Sequence, residues 1–220
     1  MMELSKRLQT IYDLTPRGVV ADVGSDHGKL IISLYDNQVI AKGYAIENKR
    51  GPFARLIEAL STDKERKGIT PLLSDGISEL PQDVDVVIVA GMGGYNIINI
   101  LKNHVDKLNN VTHIIVDPHN AIKEVREEIT ALGYHINQEK IIYEEDVYYE
   151  IIDFIKGETP LLNDLDFEFG PLLRKEKNAV FLAKYHDEIN KINLLLDNPQ
   201  LPTKRKKELE DRKKEIEKVL

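Results

Sequence analysis

The stretch Ala21-Asp22-Val23-Gly24-Ser25-Asp26-His27-Gly28-Lys29-Leu30 lies between the apolar pair Val19-Val20 and the apolar run Ile31-Ile32-Ser33-Leu34. It reads as the end of a buried strand, a tight glycine turn and the start of a helix. Open α/β sheets bind ligands just beyond the carboxyl ends of such strands. A glycine there lets the backbone approach a ligand, because no Cβ intervenes. The turn is not G-x-G-x-x-G: Gly24 and Gly28 stand four positions apart, and Asp26 takes the place of a second glycine. A pyrophosphate needs close, positive backbone amides, and an anionic side chain opposes it. A positively charged ligand with donors to satisfy fits better. S-adenosylmethionine, with its sulfonium and amino group, is such a ligand. A turn with no ligand can carry the same glycines, so the reading needs support from elsewhere.

Glu47 ends a second short strand, Tyr44–Glu47, about twenty residues beyond the loop, where an acid can accept both hydroxyls of a ribose. Asp75-Gly76 follows a third strand, where a carboxylate can meet an adenine amino group. Taken singly, each is equally a surface or capping acid. Taken together, they describe one nucleoside lying across adjacent strand ends. Gly91-Met92-Gly93-Gly94 follows a fourth strand, Val84–Ala90, and opens the backbone to a planar substrate. A fifth strand, His113–Val116, runs into Asp117-Pro118-His119-Asn120, with Asn120 as the expected N-cap of the next helix. Tyr148 and Tyr149 are expected to pack in an edge strand. His27 and His119 form a candidate pair, but no third ligand converges in the sequence, so no metal is expected.

Predicted helices over Leu4–Tyr12, Leu30–Asn37, Pro52–Leu60, Tyr95–Leu101 and Ala121–Leu132 alternate with these strands. The paired strands Ile136–Tyr143 and Val147–Ile155 close the series. The alternation predicts an α/β fold, Rossmann-like, with a largely parallel sheet and an antiparallel edge. Gly157-Glu158-Thr159-Pro160 reads as a linker between a catalytic domain, 1–157, and a C-terminal unit, 158–220. Beyond Leu172 strand signals stop. One helix through Leu196, a break at Asn198–Pro202 and a second helix, Thr203–Leu220, predict a coiled-coil-like helical hairpin. Its basic residues, Lys204, Arg205 and Lys207 among them, form either a solvated face or a phosphate-binding arm.

The 220 residues, 42% apolar, suffice for one domain with an appendage. No run reaches the ~20 apolar residues of a membrane span. The N-terminal residues continue into amphipathic sequence and not a signal core, so a cytoplasmic protein with no membrane partner is expected. The absence of cysteine excludes disulfides, thiolate metal sites and a cysteine nucleophile. A net charge of −7 argues against a nucleic-acid partner globally and leaves local basic patches open.

The residues resemble a known family. Leu4-Ser5-Lys6-Arg7-Leu8, Asp22-Val23-Gly24-Ser25-Asp26-His27, Gly51-Pro52, Ser74-Asp75-Gly76, Ile88-Val89-Ala90-Gly91-Met92-Gly93-Gly94, Glu144-Glu145-Asp146 with Tyr149-Glu150-Ile151-Ile152, and Phe169-Gly170-Pro171 occur in the order found there. The chain looks like the bacterial tRNA adenine-N1-methyltransferases that modify adenine 22 in the D-arm, class I S-adenosylmethionine enzymes. The resemblance implies a Rossmann-like catalytic domain and a C-terminal coiled coil that helps hold tRNA. It implies cofactor contacts at Asp22, Gly24, Ser25, Glu47, Asn48, Asp75, Gly76, Ala90, Gly91 and Met92, with Asp26 and His27 at the methyl-transfer site. Lys29, Gly93, Asp117, His119 and Asn120 then fall at the substrate pocket, and Lys6, Arg7, Lys204, Arg205 and Lys207 are expected on phosphates. Two stretches depart from the family: Gly28-Lys29 replace an alanine and an aromatic residue, and Asp117-Pro118-His119 replace Gln-Pro-Asn.

Adenine N1 carries a neutral lone pair and needs no prior deprotonation. The expected work is to hold a flipped base at attack distance. Asp26 is expected to accept from the adenine amino group, and His27 to shape the pocket or shuttle a proton. Other readings are a methyltransferase with a different RNA or small-molecule substrate, a nicotinamide dehydrogenase, which the missing G-x-G-x-x-G opposes, and a non-catalytic tRNA-binding protein. A monomer is expected, with a weak dimer as the alternative.

Overall fold

The computed structural model describes residues 3–61, 66–158 and 160–220, and of Asp26 only the backbone. The first half alternates α1 (Lys6–Leu14), β1 (Val19–Val23), α2 (Lys29–Asp36), β2 (Lys42–Glu47), α3 (Arg50–Leu60), β3 (Ile69–Leu73), β4 (Val86–Met92) and α4 (Gly94–Lys102). Then come β5 (His113–Pro118), α5 (Ile122–Ala131) and the long hairpin β6 (Tyr134–Glu144) and β7 (Val147–Lys156). The chain closes with α6 (Asp164–Phe169), α7 (Pro171–Glu176), α8 (Ala179–Leu196) and α9 (Thr203–Glu217).

The strands form one seven-stranded sheet in the order β3-β2-β1-β4-β5-β7-β6. β1 to β5 run parallel, and β7 and β6 add antiparallel at one side. Central strands covered on both faces must be apolar throughout, and residues 86–89 of β4 are buried without interruption. One face carries Val87, Val89, Ile114 and Val116 against Ile97, Leu101, Val125 and Ile129 of α4 and α5. The other carries Val20, Ile88, Ile115 and Ile151 against Ile11, Leu30, Leu34 and Leu56 of α1, α2 and α3. Strand order reverses between β1 and β4. Among the described residues no helix is long and apolar enough to cross a membrane.

Three expectations are corrected. β7 is interior, between β5 and β6, and β6 is the edge. The reason is burial: residues 150–154 of β7 are all buried and need a neighbour on each side. The strand before Pro118 runs through it, because pairing with β4 resumes at Met92↔Pro118 past a bulge. The single helix expected up to Leu196 is broken. Lys177 adopts a left-handed φ of 46° that ends α7, and Asn178 then caps α8 by accepting from the Val180 and Phe181 amides. Helix α6 was not foreseen from the sequence, although Asn163 and Asp166 form a capping box at its start. Of the linker expected at 157–160, Thr159 lies outside the described residues.

The C-terminal helices bury Phe169, Leu173, Phe181, Tyr185, Ile192, Leu209 and Ile216 together with Ile141 of β6. They are therefore seated on the edge of the sheet. A buried charge cluster holds the seat. Arg126 of α5, 0% exposed, donates to Glu139 at 2.8 Å, to Glu150 at 2.5 Å and to the Phe167 carbonyl at 3.0 Å. Lys184 of α8 pairs with the other Glu150 oxygen. Burial alone would raise the Glu150 carboxyl, but Lys184 and Arg126 hold it down at about 2. Removing one member of such a cluster leaves buried charge without compensation, at a cost of about 3–5 kcal/mol. Arg126→Ala should therefore lower the melting temperature by roughly 10 °C, read by circular dichroism. An unchanged melting temperature would show that the two glutamates find other partners.

Candidate active site

The site forms where β1 and β4 end side by side, at the reversal of strand order. Gly24 has φ +77°, and a Cβ there would collide with the terminal methyl of Met92. Its N–H donates to the Ile46 carbonyl at 2.9 Å, which ties the turn to β2. Two cavities of about 340 Å³ each meet at Gly24. The first is lined by Asn48, Ser74, Asp75, Gly76, Met92 and the Asn96, Asn99 and Asn103 side of α4. Among the described residues no lysine or arginine lines it. It offers acceptors and amides, which suit a nucleoside and not a pyrophosphate. The second is lined by Arg7, Asp22, Ser25, Lys29, Ala90, Tyr149 and the acids Glu3, Glu144 and Glu145.

Asp22 is 5% exposed and accepts from the Ser25 hydroxyl at 2.5 Å. Burial pushes its carboxyl up to about 6, the Ser25 bond opposes that rise, and the charge of Glu47 adds to it. Two buried acids so placed invite a cation between or beside them. With the glycine approach and the cation-free first cavity, this donor set fits S-adenosylmethionine.

On the β5 side, Asp117 is 0% exposed and accepts from Arg7 Nη1 at 2.6 Å. The Arg7 guanidinium lies 5.5 Å from the centre of the Tyr149 ring, a cation–π distance. The His119 ring meets the same tyrosine edge-on at 6.2 Å. Glu144 fixes the start of α1 by accepting from the Lys6 N–H at 2.5 Å and the Arg7 N–H at 3.1 Å. Asn120 does not cap α5, whose N-cap is Ala121 in left-handed geometry. Its Oδ1 instead accepts from the Gly94 N–H at 3.0 Å, so it serves the start of α4. The bend at Ala121 turns Asn120 back toward the glycines.

The fold thus gathers most of the residues expected at the site. Gly24, Asn48, Asp75, Gly76 and Met92 share the first cavity. Asp22, Gly24, Ser25, Lys29, Ala90 and Arg7 share the second. Glu47, 7% exposed, lines neither cavity but adjoins Asn48. Gly91 underlies the Arg7 guanidinium, and Gly93 with Asn120 frames the start of α4. His27 is exposed at a left-handed φ of 55°, and the Asp26 side chain lies outside the described residues. The Lys6 amine donates to the Tyr143 carbonyl at 3.3 Å. Lys204, Arg205 and Lys207 are exposed on α9 and line neither cavity. Among the described residues no three His, Asp or Glu are grouped to hold a metal.

Sequence reasoning missed Tyr149 at the second cavity, Glu144 as the anchor of α1 and the asparagines of α4. The last had a signal: Asn96, Asn99 and Asn103 fall on one side of a helix otherwise rich in isoleucine.

Comparison with known proteins gives the same picture. Residues 20–220 match the family model of TrmK, described as tRNA (adenine(22)-N(1))-methyltransferase. The chain is 32% identical over 195 residues to the tRNA (adenine(22)-N(1))-methyltransferase of Bacillus subtilis, covering 86% of this chain and 82% of that one. Sp1610 of Streptococcus pneumoniae, solved in complex with S-adenosyl-L-methionine, superposes with a TM-score of 0.90 at 30% identity, over 99% of this chain and 100% of that one. The magnesium protoporphyrin IX methyltransferase of Synechocystis shares only the fold, with a TM-score of 0.57 at 13% identity over 69% of this chain and 83% of that one. A Rossmann-like methyltransferase sheet, a glycine turn built for a cationic nucleoside and a match across nearly the whole chain agree: this chain belongs to the TrmK family of tRNA (adenine(22)-N(1))-methyltransferases.

Proposed function

We propose that the chain transfers a methyl group from S-adenosylmethionine to N1 of adenine 22 in the D-arm of tRNA, with the two cavities at Gly24 dividing the work. The observation that carries this reading is their meeting point. A cofactor lying across Gly24 has its nucleoside in the first cavity and its sulfonium at the mouth of the second. Bound there, S-adenosylmethionine supplies a methyl group on a positively charged sulfur, open to in-line displacement.

The chain's own residues then bind and orient. Asp75 and Gly76 meet the adenine of the cofactor, and Glu47 with Asn48 takes the ribose. Asp22, Ser25 and the Ala90–Met92 backbone hold the amino-acid end. Asp26 and His27 stand at the transfer site: Asp26 accepts from the amino group of the target base, and His27 shapes the wall. Lys29, Gly93, His119 and Asn120 border the incoming nucleotide. The neutral N1 lone pair attacks directly, so positioning supplies most of the catalysis. Residues 1–157 act as the catalytic domain and 158–220 as a coiled-coil-like arm. Lys6 and Arg7 on α1, and Lys204, Arg205 and Lys207 on α9, meet tRNA phosphates. The protein works in the cytoplasm as a monomer.

The direct test is transfer of labelled methyl from S-adenosylmethionine to total tRNA, followed by nucleoside mass spectrometry. N1-methyladenosine at position 22 is expected, and labelling of another nucleoside would overturn the assignment. Charge reversal of Lys204, Arg205 and Lys207 to glutamate should raise KM for tRNA about tenfold or more, leave kcat near wild type and flatten the salt dependence. An unchanged KM would remove the arm from tRNA binding.

The raised Asp22 carboxyl adds a pH test. A cofactor ammonium needs Asp22 ionised, and below about 6 it becomes neutral. Affinity for S-adenosylmethionine should therefore fall as pH drops through that value, approaching tenfold per unit. Asp22→Asn should bind weakly at every pH and lose the slope. A wild-type affinity that is flat from pH 8 to pH 5 would exclude the contact.

A further inference from the structure

Behind Arg7, which lines the second cavity, lies a buried carboxylate to which the reading above gives no specific contact. Asp117 has 0% of its surface exposed and bonds to Arg7 through Oδ2 alone. Its other oxygen, Oδ1, is buried and has no hydrogen-bond partner among the described residues. A buried acceptor left unpaired is costly, and native structures rarely keep one without a use.

Its place in the sheet suggests the use. Asp117 pairs in register with Ala90, which lines the second cavity. In β4 and β5, Ile88 and Ile115 lie on the face covered by α1 and α2, and strand residues two apart share a face. Ala90 and Asp117 therefore project to that same side, as Tyr149 does beside Ile151 on β7. Arg7 touches both the cavity and the carboxylate and is 24% exposed. Its guanidinium rests over Gly91, where a Cβ would lie 3.2 Å from Nη1. Gly91 thus meets the guanidinium with bare backbone, with the His119 ring beside it and the Tyr149 face 5.5 Å away.

We propose that Asp117 is a specificity-determining residue, whose free oxygen Oδ1 accepts a hydrogen from the exocyclic amino group of the target adenine as the base displaces Arg7 from its seat on Gly91. The inference rests on the adenine-N1 reading above. Adenine carries a donor at C6 where guanine carries an acceptor. A carboxylate oxygen accepts from the first and repels the second. The adenine amino group has two hydrogens, so one remains for Asp26.

The test pairs a variant with a substrate analogue. tRNA is assembled with either adenosine or purine riboside, which lacks the amino group, at position 22. The wild type should transfer to the purine about 10–100-fold more slowly, the range expected for losing a hydrogen bond to a charged group. Asp117→Asn keeps the shape, but Arg7 requires the amide oxygen, so the NH₂ replaces Oδ1 and faces the amino group of adenine donor to donor. This variant should lose transfer to adenosine, and its preference over purine should shrink to a few-fold. An Asp117→Asn protein that keeps the wild-type melting temperature and affinity for S-adenosylmethionine guards against a purely structural effect of the substitution. Wild-type transfer to adenosine with no preference over purine would overturn the assignment alone, as would an undiminished preference in Asp117→Asn. Failure of the wild type on both substrates would overturn the reading beneath it.

Discussion

The site depends on the side-by-side ending of β1 and β4. Their parallel register pairs Asp22 with Ile88 and Val23 with Val89, where β1 ends, while β4 runs on beside β5 to Met92. Each turns through a glycine with positive φ, Gly24 and Gly91, and each feeds a helix within a few residues. A side chain at Gly24 would strike Met92, so the two turns fit only because one of them is bare. The neighbouring strand ends fall into place from there. Ser74 after β3 is tied to Glu47 of β2 by a backbone bond of 2.9 Å, and His119 after β5 to Met92 of β4 by another of 2.9 Å. The ligand edge is a ladder of strand termini backed by the two apolar layers of the sheet.

Against that apolar frame the buried charges stand out, because each costs free energy to hold. The Asp22 carboxyl rises from 3.8 to about 6 in the folded chain. The unfolded chain therefore ionises first, and folding loses stability as pH rises through that window, on the order of 3 kcal/mol at neutral pH. A fold selected for stability alone would place valine there. Asp117 is balanced by Arg7 through one oxygen only. Arg126 is the opposite case: it meets two glutamates and a carbonyl, and its cluster joins catalytic sheet to C-terminal helices. The half-paired carboxylate of Asp117 lies on the ligand side, and the fully engaged guanidinium of Arg126 on the structural side.

The same contrast explains what the sequence made legible. Periodicity gave the strands and helices of the sheet to within a few residues, since apolar runs bounded by glycine admit few alternatives. The expected residues that line the two cavities sit mostly at strand ends, which is a matter of chain position, whereas Tyr149 and the asparagines of α4 were missed. Long-range partners were not found. Nothing in Arg7 says that it meets Asp117, and nothing in Asn120 says that it serves α4 and not the helix next to it. Such pairings arise from the order in which strands enter the sheet. That order also made β7 interior, although the last strand of a chain segment is more naturally read as an edge. The break at Lys177-Asn178 was readable, because asparagine is a strong helix start, but the apolar spacing across it favoured one long helix.

The hairpin β6–β7 has a role that its sequence alone does not suggest. Successive side chains of a strand point to opposite faces. Tyr149 faces the second cavity and stacks with Arg7, while Glu150 faces away and binds Arg126 and Lys184. Their partners on β6, Ile142 and Ile141, divide in the same way, one into the layer beneath α1 and the other into the core of the C-terminal helices. At the tip, Glu144 anchors the start of α1 and with it Arg7. One pair of strands therefore sets both the wall against which a base would be placed and the seat of the helices proposed to grip the rest of the tRNA. A shift of the arm that moves Glu150 must act on Tyr149 through a single peptide unit. Tyr149 and Glu150 are adjacent residues of one strand, so the pleat of β7 fixes the spacing between the second cavity and the seat of the C-terminal helices.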